Sequence, residues 1–123
     1  ASGPTYFNCV AISTSPDPTD TYYRYAFSTG TNFPDYPKYG VWPDAYYITT
    51  NESSQAAYAL ERDSILAGGL APQLVRFTMS DFPTIGFQAA TPVSLTGTTL
   101  PDPGINVDVQ GDGAAGLDVD GRR

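Results

Sequence analysis

Ten of the sixteen aromatic residues fall within the 26 residues from 22 to 47. Sugar C–H faces pack against aromatic rings, while tyrosine hydroxyls and indole N–H groups bond the polar edges of a sugar. Trp42, Tyr46, Tyr47 and Tyr36 are therefore the candidate ligand-binding residues, with carbohydrate as the candidate ligand. The plainer alternative has these rings filling space between sheets, their hydroxyls satisfied by backbone. Asp35 and Asp44 flank a short strand candidate and are the candidate catalytic pair for a carbohydrate-active hydrolase. That chemistry needs two carboxylates about 5–9 Å apart. The competing role is structural, because an Asp before an aromatic-Pro pair, or after Pro43, caps a turn by bonding nearby amides. The chain has no histidine, which excludes Ser-His and Cys-His catalysis and histidine-ligated zinc within it. The balance leans away from an enzyme.

Oxygen-bearing side chains recur at alternate positions near the C-terminus, making Asp108, Asp112, Asp118 and Asp120 the candidate metal ligands, with calcium the only cofactor in view. A twelve-residue calcium loop closes on a bidentate Glu. Counted from Asn106 or from Asp108, the twelfth position is Leu117 or Val119, so both registers fail. A solvated acidic tail or an added strand is the simpler expectation for 106–123. Asn51-Glu52-Ser53 is a formal glycosylation sequon at Asn51. Cys9 has no second cysteine to pair with and, in a strand-like context, is expected to be a small buried hydrophobe.

Thirteen acids against six bases give a net charge of −7, the wrong sign for a nucleic-acid partner. No apolar run is long enough to span a membrane. The chain is acidic, holds one lysine and is rich in Thr, Ser, Tyr, Asp and Gly, a composition that points outside the cell. No basic-then-apolar leader is present, so any signal peptide is expected to have been removed already.

The elements that must position these side chains are short strands. Runs rich in β-branched and aromatic residues lie between turn clusters at 8–13, 22–28, 39–41, 45–50, 56–61, 74–79, 85–89 and 105–109. Ser15-Pro16-Asp17-Pro18-Thr19-Asp20 is turn chemistry, so 8–13 and 22–28 form an antiparallel hairpin. On the second strand Tyr23, Tyr25 and Phe27 share the face expected to be core. Helix is confined to one turn within 63–69, closed by glycine. Trp42, beside Pro43, marks a strand-end loop.

The pattern Asp-aromatic-Pro-any-apolar-Gly-apolar occurs at 35–41 and returns at 81–87, a shift of 46 residues, each copy following two strand candidates. A 40–50-residue period of short strands is the spacing of propeller blades, each a four-stranded antiparallel sheet. The expected fold is all-β, with antiparallel short strands in two to three propeller-like blade units and little helix. The blade-repeat region is 1–105, in approximate units 5–50 and 51–100, followed by the Gly/Asp-rich tail 106–123.

The segment Asp35-Tyr36-Pro37-Lys38-Tyr39-Gly40-Val41-Trp42-Pro43-Asp44-Ala45-Tyr46-Tyr47 resembles part of large secreted bacterial β-propeller-like proteins. There it follows a hairpin like Asp17-Pro18-Thr19-Asp20-Thr21-Tyr22, with Asp20 where glycine is usual, and precedes a segment like Glu61-Arg62-Asp63-Ser64-Ile65-Leu66-Ala67-Gly68. The resemblance covers residues 5–105 and implies fold and secretion rather than an activity. At about 45 residues per blade the chain holds about two and a half, short of the four to eight that close a propeller. Its sheet borders must then be met by other copies of itself or by the remainder of a larger chain. Three functions follow in order: an extracellular module binding glycan or a surface ligand within a larger assembly, a filament subunit joined through edge strands, and a hydrolase using Asp35 or Asp44.

Overall fold

A computed structural model describes residues 3–80, 90–95 and 110–111. The described chain is antiparallel β-structure with one short helix.

β1 (Tyr6–Ser13) and β2 (Tyr22–Gly30) form the expected hairpin, with Ser13 opposite Tyr22 and Asn8 opposite Phe27. Its connection is tied by its own side chains. Asp17 Oδ1 accepts from the Thr19 amide at 2.9 Å and the Thr19 hydroxyl at 2.7 Å, and the Thr14 and Thr21 hydroxyls meet at 2.8 Å. The Thr19 amide holds the fully exposed Asp17 carboxyl below its ordinary range, and the Thr21 amide does the same for Asp20.

β3 (Asp35–Val41), β4 (Ala45–Asn51), β5 (Ala56–Glu61) and β6 (Leu74–Thr78) follow as one up-and-down sheet in chain order. The division at 50/51 between the expected units falls inside this sheet, one residue before the end of β4. α1 (Arg62–Leu66) bridges β5 and β6. It ends at Gly68, whose φ of +70° is the left-handed conformation that glycine adopts without strain; a Cβ there would also lie 2.6 Å from the Tyr23 ring.

Side-chain alternation decides what each face buries. The register sets Ile48 opposite Tyr58, Tyr46 opposite Leu60 and Leu60 opposite Leu74, so one face of the sheet carries the apolar set. The inward residues of the hairpin pack onto it: Phe27 joins Ile48, Ala56, Tyr58, Leu60 and Ile65, with Val10, Ile12 and Tyr25 at the margin. Tyr25 and Phe27 thus occupy the expected core face, and the Tyr25 hydroxyl donates to the Ile65 carbonyl at 3.1 Å. Tyr23 stays 38% exposed. Cys9 is a correction: it is exposed. With Asn8, Val10 and Ile12 turned inward, strand parity turns Cys9 out beside Phe7 and Ala11.

Among the described residues, the opposite face is covered on one side only. The segment 90–95 runs against β3 and β4: the Thr49 hydroxyl donates to the Ala90 carbonyl, the Leu95 amide to the Val41 carbonyl at 2.8 Å. Gly40 permits this approach, because a Cβ there would stand 2.6 Å from that of Pro92. Within the segment, β7 (Ala90–Thr91) pairs with β8 (Gln110–Gly111), so that much of the expected tail is an added strand. The repeat copy at 81–87 and the strands expected at 85–89 and 105–109 lie outside the described residues.

Leu60→Ala should lower unfolding free energy by about 3 kcal/mol, from lost transfer energy and a cavity. Phe77→Ala, at a side chain 54% exposed, should change it by about 0.5 kcal/mol or less in the dilute, unassociated chain. Urea denaturation of the two variants checks the contrast.

Candidate functional site

The β3–β4 connection places three of the sequence candidates together. The Trp42 amide donates to the Ala45 carbonyl at 3.1 Å, closing a tight hairpin around Pro43 and Asp44, so Trp42 does mark a strand-end loop. Its indole meets the Tyr47 ring edge to face, with centroids 6.1 Å apart and planes at 81°. The indole N–H donates to the Val93 carbonyl at 2.6 Å, and the Tyr47 hydroxyl to Asp44 Oδ2 at 2.9 Å. Burial, then the bond to Asp44 and its charge, push the Tyr47 phenol up to about 12.

The remaining aromatic candidates stand apart. Tyr46 points to the other face of β4, beneath the Arg62 guanidinium, which lies 5.8 Å from its ring centroid. Tyr36 sits at the far end of β3, about 20 Å away at the usual strand rise. It has a φ of 51°, at an irregularity in the β3–β4 register, and the Lys38 ammonium lies 4.3 Å from its ring centroid. The four rings do not form one platform. Asp35 and Asp44 are separated in the same way, at opposite ends of β3. Asp35 Oδ1 accepts from the Tyr36 amide at 2.9 Å, the local turn role. The strand between the two carboxylates keeps them beyond the reach of a glycosidase pair.

Asn51 is half-buried at the end of β4, opposite Asp35. Among the described residues no three His, Cys, Asp or Glu side chains come together as a metal site. Asp108, Asp112, Asp118 and Asp120 lie outside the described residues. Among those described, no helix is long and apolar enough to cross a membrane.

One polar constellation goes unnoticed in the sequence. Glu52, in the β4–β5 connection, has a side chain with no solvent exposure. Its carboxylate accepts from the Thr50 hydroxyl at 2.9 Å, from the Tyr58 hydroxyl, and from Arg76 Nη2 at 2.6 Å. Arg76 also donates to the Tyr58 oxygen at 3.3 Å and to the Thr78 hydroxyl at 2.9 Å. Burial and the bond to Glu52 raise the Tyr58 phenol above its ordinary value, and the bond from Arg76 works against them. The Glu52 bond is also the first cause holding Arg76 protonated. The readable signal was parity: in 74–78 the residues Leu74, Arg76 and Thr78 share the inward face, and a cation there requires an acid. A carboxylate closed from solvent and met by three protein donors holds strands together; it offers no open position for a substrate.

Comparison of the chain with protein-family models, with curated proteins and with solved structures finds no match.

Glu52→Gln should cost about 3 kcal/mol, the low end for breaking a buried pair, since the Arg76 side chain remains 30% exposed. Adding Arg76→Met should recover part of that loss by removing the orphaned cation, which a double-mutant cycle in urea reads directly. At high pH the raised Tyr47 phenol has a signed consequence. The folded state holds this proton more tightly than the unfolded state, so its contribution to stability is intact below pH 10 and is lost as pH climbs from 10 through about 12. Asp44→Asn should move the corresponding tyrosinate absorbance step down toward the ordinary value.

Proposed function

We propose that this chain is a non-catalytic β-module of a larger extracellular assembly, working by contact with further polypeptide through exposed aromatic and aliphatic side chains. The observation that carries this reading is the number of large rings left outside the core: Phe7, Phe33, Tyr36, Tyr39 and Phe77 are all more than two-fifths exposed. Rings of this size dominate the energetics of interfaces. The up-and-down order β3-β4-β5-β6 has the strand count of one propeller blade. This supports, without reaching the repeat itself, a blade whose neighbours come from other copies or from more chain, as in the secreted bacterial proteins that the sequence resembles. The extracellular address rests on composition.

A second reading, glycan binding, draws on one corner. Trp42, Tyr47 and the exposed Asp44 adjoin at the β3–β4 turn, offering a ring face beside a carboxylate acceptor. The Trp42 N–H is already committed to Val93 and the two rings meet at right angles, so a stacked sugar has less to hold than the sequence suggested.

Sedimentation velocity tests the first reading. The chain should sediment as species heavier than 13.1 kDa whose proportion grows with concentration. A single 13.1-kDa species at every concentration counts against it. Trp42 is the only tryptophan, so its fluorescence during oligosaccharide titration tests the second reading; an unchanged spectrum removes it.

A further inference from the structure

The two borders of the four-stranded sheet are built differently. β3 carries the devices that keep an edge strand from pairing: Pro37 lacks an amide hydrogen, the register is irregular between Asp35 and Lys38, and Lys38 adds a charge. Near the hairpin turn its outward groups at Val41 are taken, the N–H donating to the Ser94 hydroxyl at 3.2 Å and the C=O accepting from Leu95. β6 lacks the first two of these devices. It has no proline or irregularity, and no strand pairs with its outer side among the described residues. Its one cation is matched by Glu52 at 2.6 Å. The eleven residues 70–80 contain no acid in a chain with 13 acids and 6 bases, so this border meets another copy without acidic repulsion.

The direction of its free groups follows from bonds at both ends of the strand. The Glu61 amide donates to the Gln73 carbonyl at 3.0 Å and the Met79 amide to the Gln55 carbonyl at 2.8 Å. Odd-numbered positions therefore form the hydrogen-bonded pairs with β5. Leu74, Arg76 and Thr78 consequently point N–H and C=O groups outward. On the uncovered sheet face the same strand exposes Val75 at 51% and Phe77 at 54%.

We propose that β6 is a dimerisation edge, pairing antiparallel with β6 of a second copy about a two-fold axis at Arg76. This rests on the assembly reading above and names its partner. With that axis Leu74 faces Thr78 of the second copy and Arg76 faces its equivalent, so all three outward residues fall in hydrogen-bonded pairs, giving about six N–H···O bonds. Val75 falls opposite Phe77 of the second copy in both non-hydrogen-bonded pairs, where side chains approach most closely and an aromatic against a β-branched residue stabilises the sheet. The two Arg76 charges meet already neutralised by their own Glu52. The result is a closed, isologous dimer with a continuous eight-stranded sheet rather than a filament, because the blunted β3 edge ends it on each side.

The test is a register-specific cross-link in the full chain. Oxidised Cys9→Ser/Val75→Cys/Phe77→Cys should run at twice the chain mass without reductant, whereas Cys9→Ser/Val75→Cys alone should cross-link far less, since its thiols sit diagonally. Equal cross-linking by both variants, or none by the double variant while its circular dichroism is that of the parent, overturns the register. Thr78→Pro removes an outward N–H and spares the bonds to β5. It should weaken association about tenfold, the equivalent of two hydrogen bonds lost per symmetric dimer. If the parent chain associates and Thr78→Pro leaves that unchanged, the β6 interface is wrong and the broader assembly reading stands. If the parent chain is monomeric throughout, both fall.

Discussion

The Glu52 carboxylate is the constraint on which the rest of the sheet depends. It lies in the connection after β4, yet it binds a hydroxyl of β4, a hydroxyl of β5 and the guanidinium of β6. One acid therefore fixes three strands in a single relative register. A slip of one residue in β6 would turn Arg76 to the open face, strand the carboxylate without its cation, and carry Val75 and Phe77 into the core. An apolar contact in the same place would tolerate such a slip far better than a satisfied ion pair does. The polar cluster thus specifies which half of β6 meets the core, and through that choice decides what the strand shows to its surroundings.

Much of the fold was legible because local chemistry and tertiary structure agree. The prolines and aspartates between 15 and 20 fold the hairpin without outside help, and β-branched and aromatic runs mark β4 and β5 to within a residue. The short helix was read as one turn closed by glycine, and α1 is closed by Gly68. Parity placed Tyr25 and Phe27 as expected; what escaped elsewhere was which face of its strand a side chain takes. Cys9 sits in a strand as read, but facing water, because the inward positions belong to its neighbours. Tyr46 and Tyr47 are adjacent in sequence and for that reason lie on opposite faces of β4. The acids at 35 and 44 are close in number and far in space because an extended strand separates them.

The same distinction governs the site. The turn at Pro43 was readable, and with it the company of Trp42 and Asp44. The carbonyl of Val93 that takes the indole proton lies 51 residues away in sequence, and no local pattern announces it. Arg76 and Glu52 lie 24 residues apart and meet only once β4, β5 and β6 are in register. Turn chemistry points to the hairpins, and long-range pairing alone to the buried charges and the exposed side chains of β6.

The connection between β1 and β2 closes at its neck. Thr14 and Thr21 are joined there by backbone and hydroxyl bonds, and the residues beyond them bond chiefly to one another on the exposed surface. Such a loop holds its own shape at the surface, and it reaches β2 through the Tyr22 hydroxyl, which donates to the Pro18 carbonyl at 2.7 Å. Foreign peptide grafted at Pro18 would be displayed from a ready-made clasp, making this hairpin a natural mounting point for labels or epitopes.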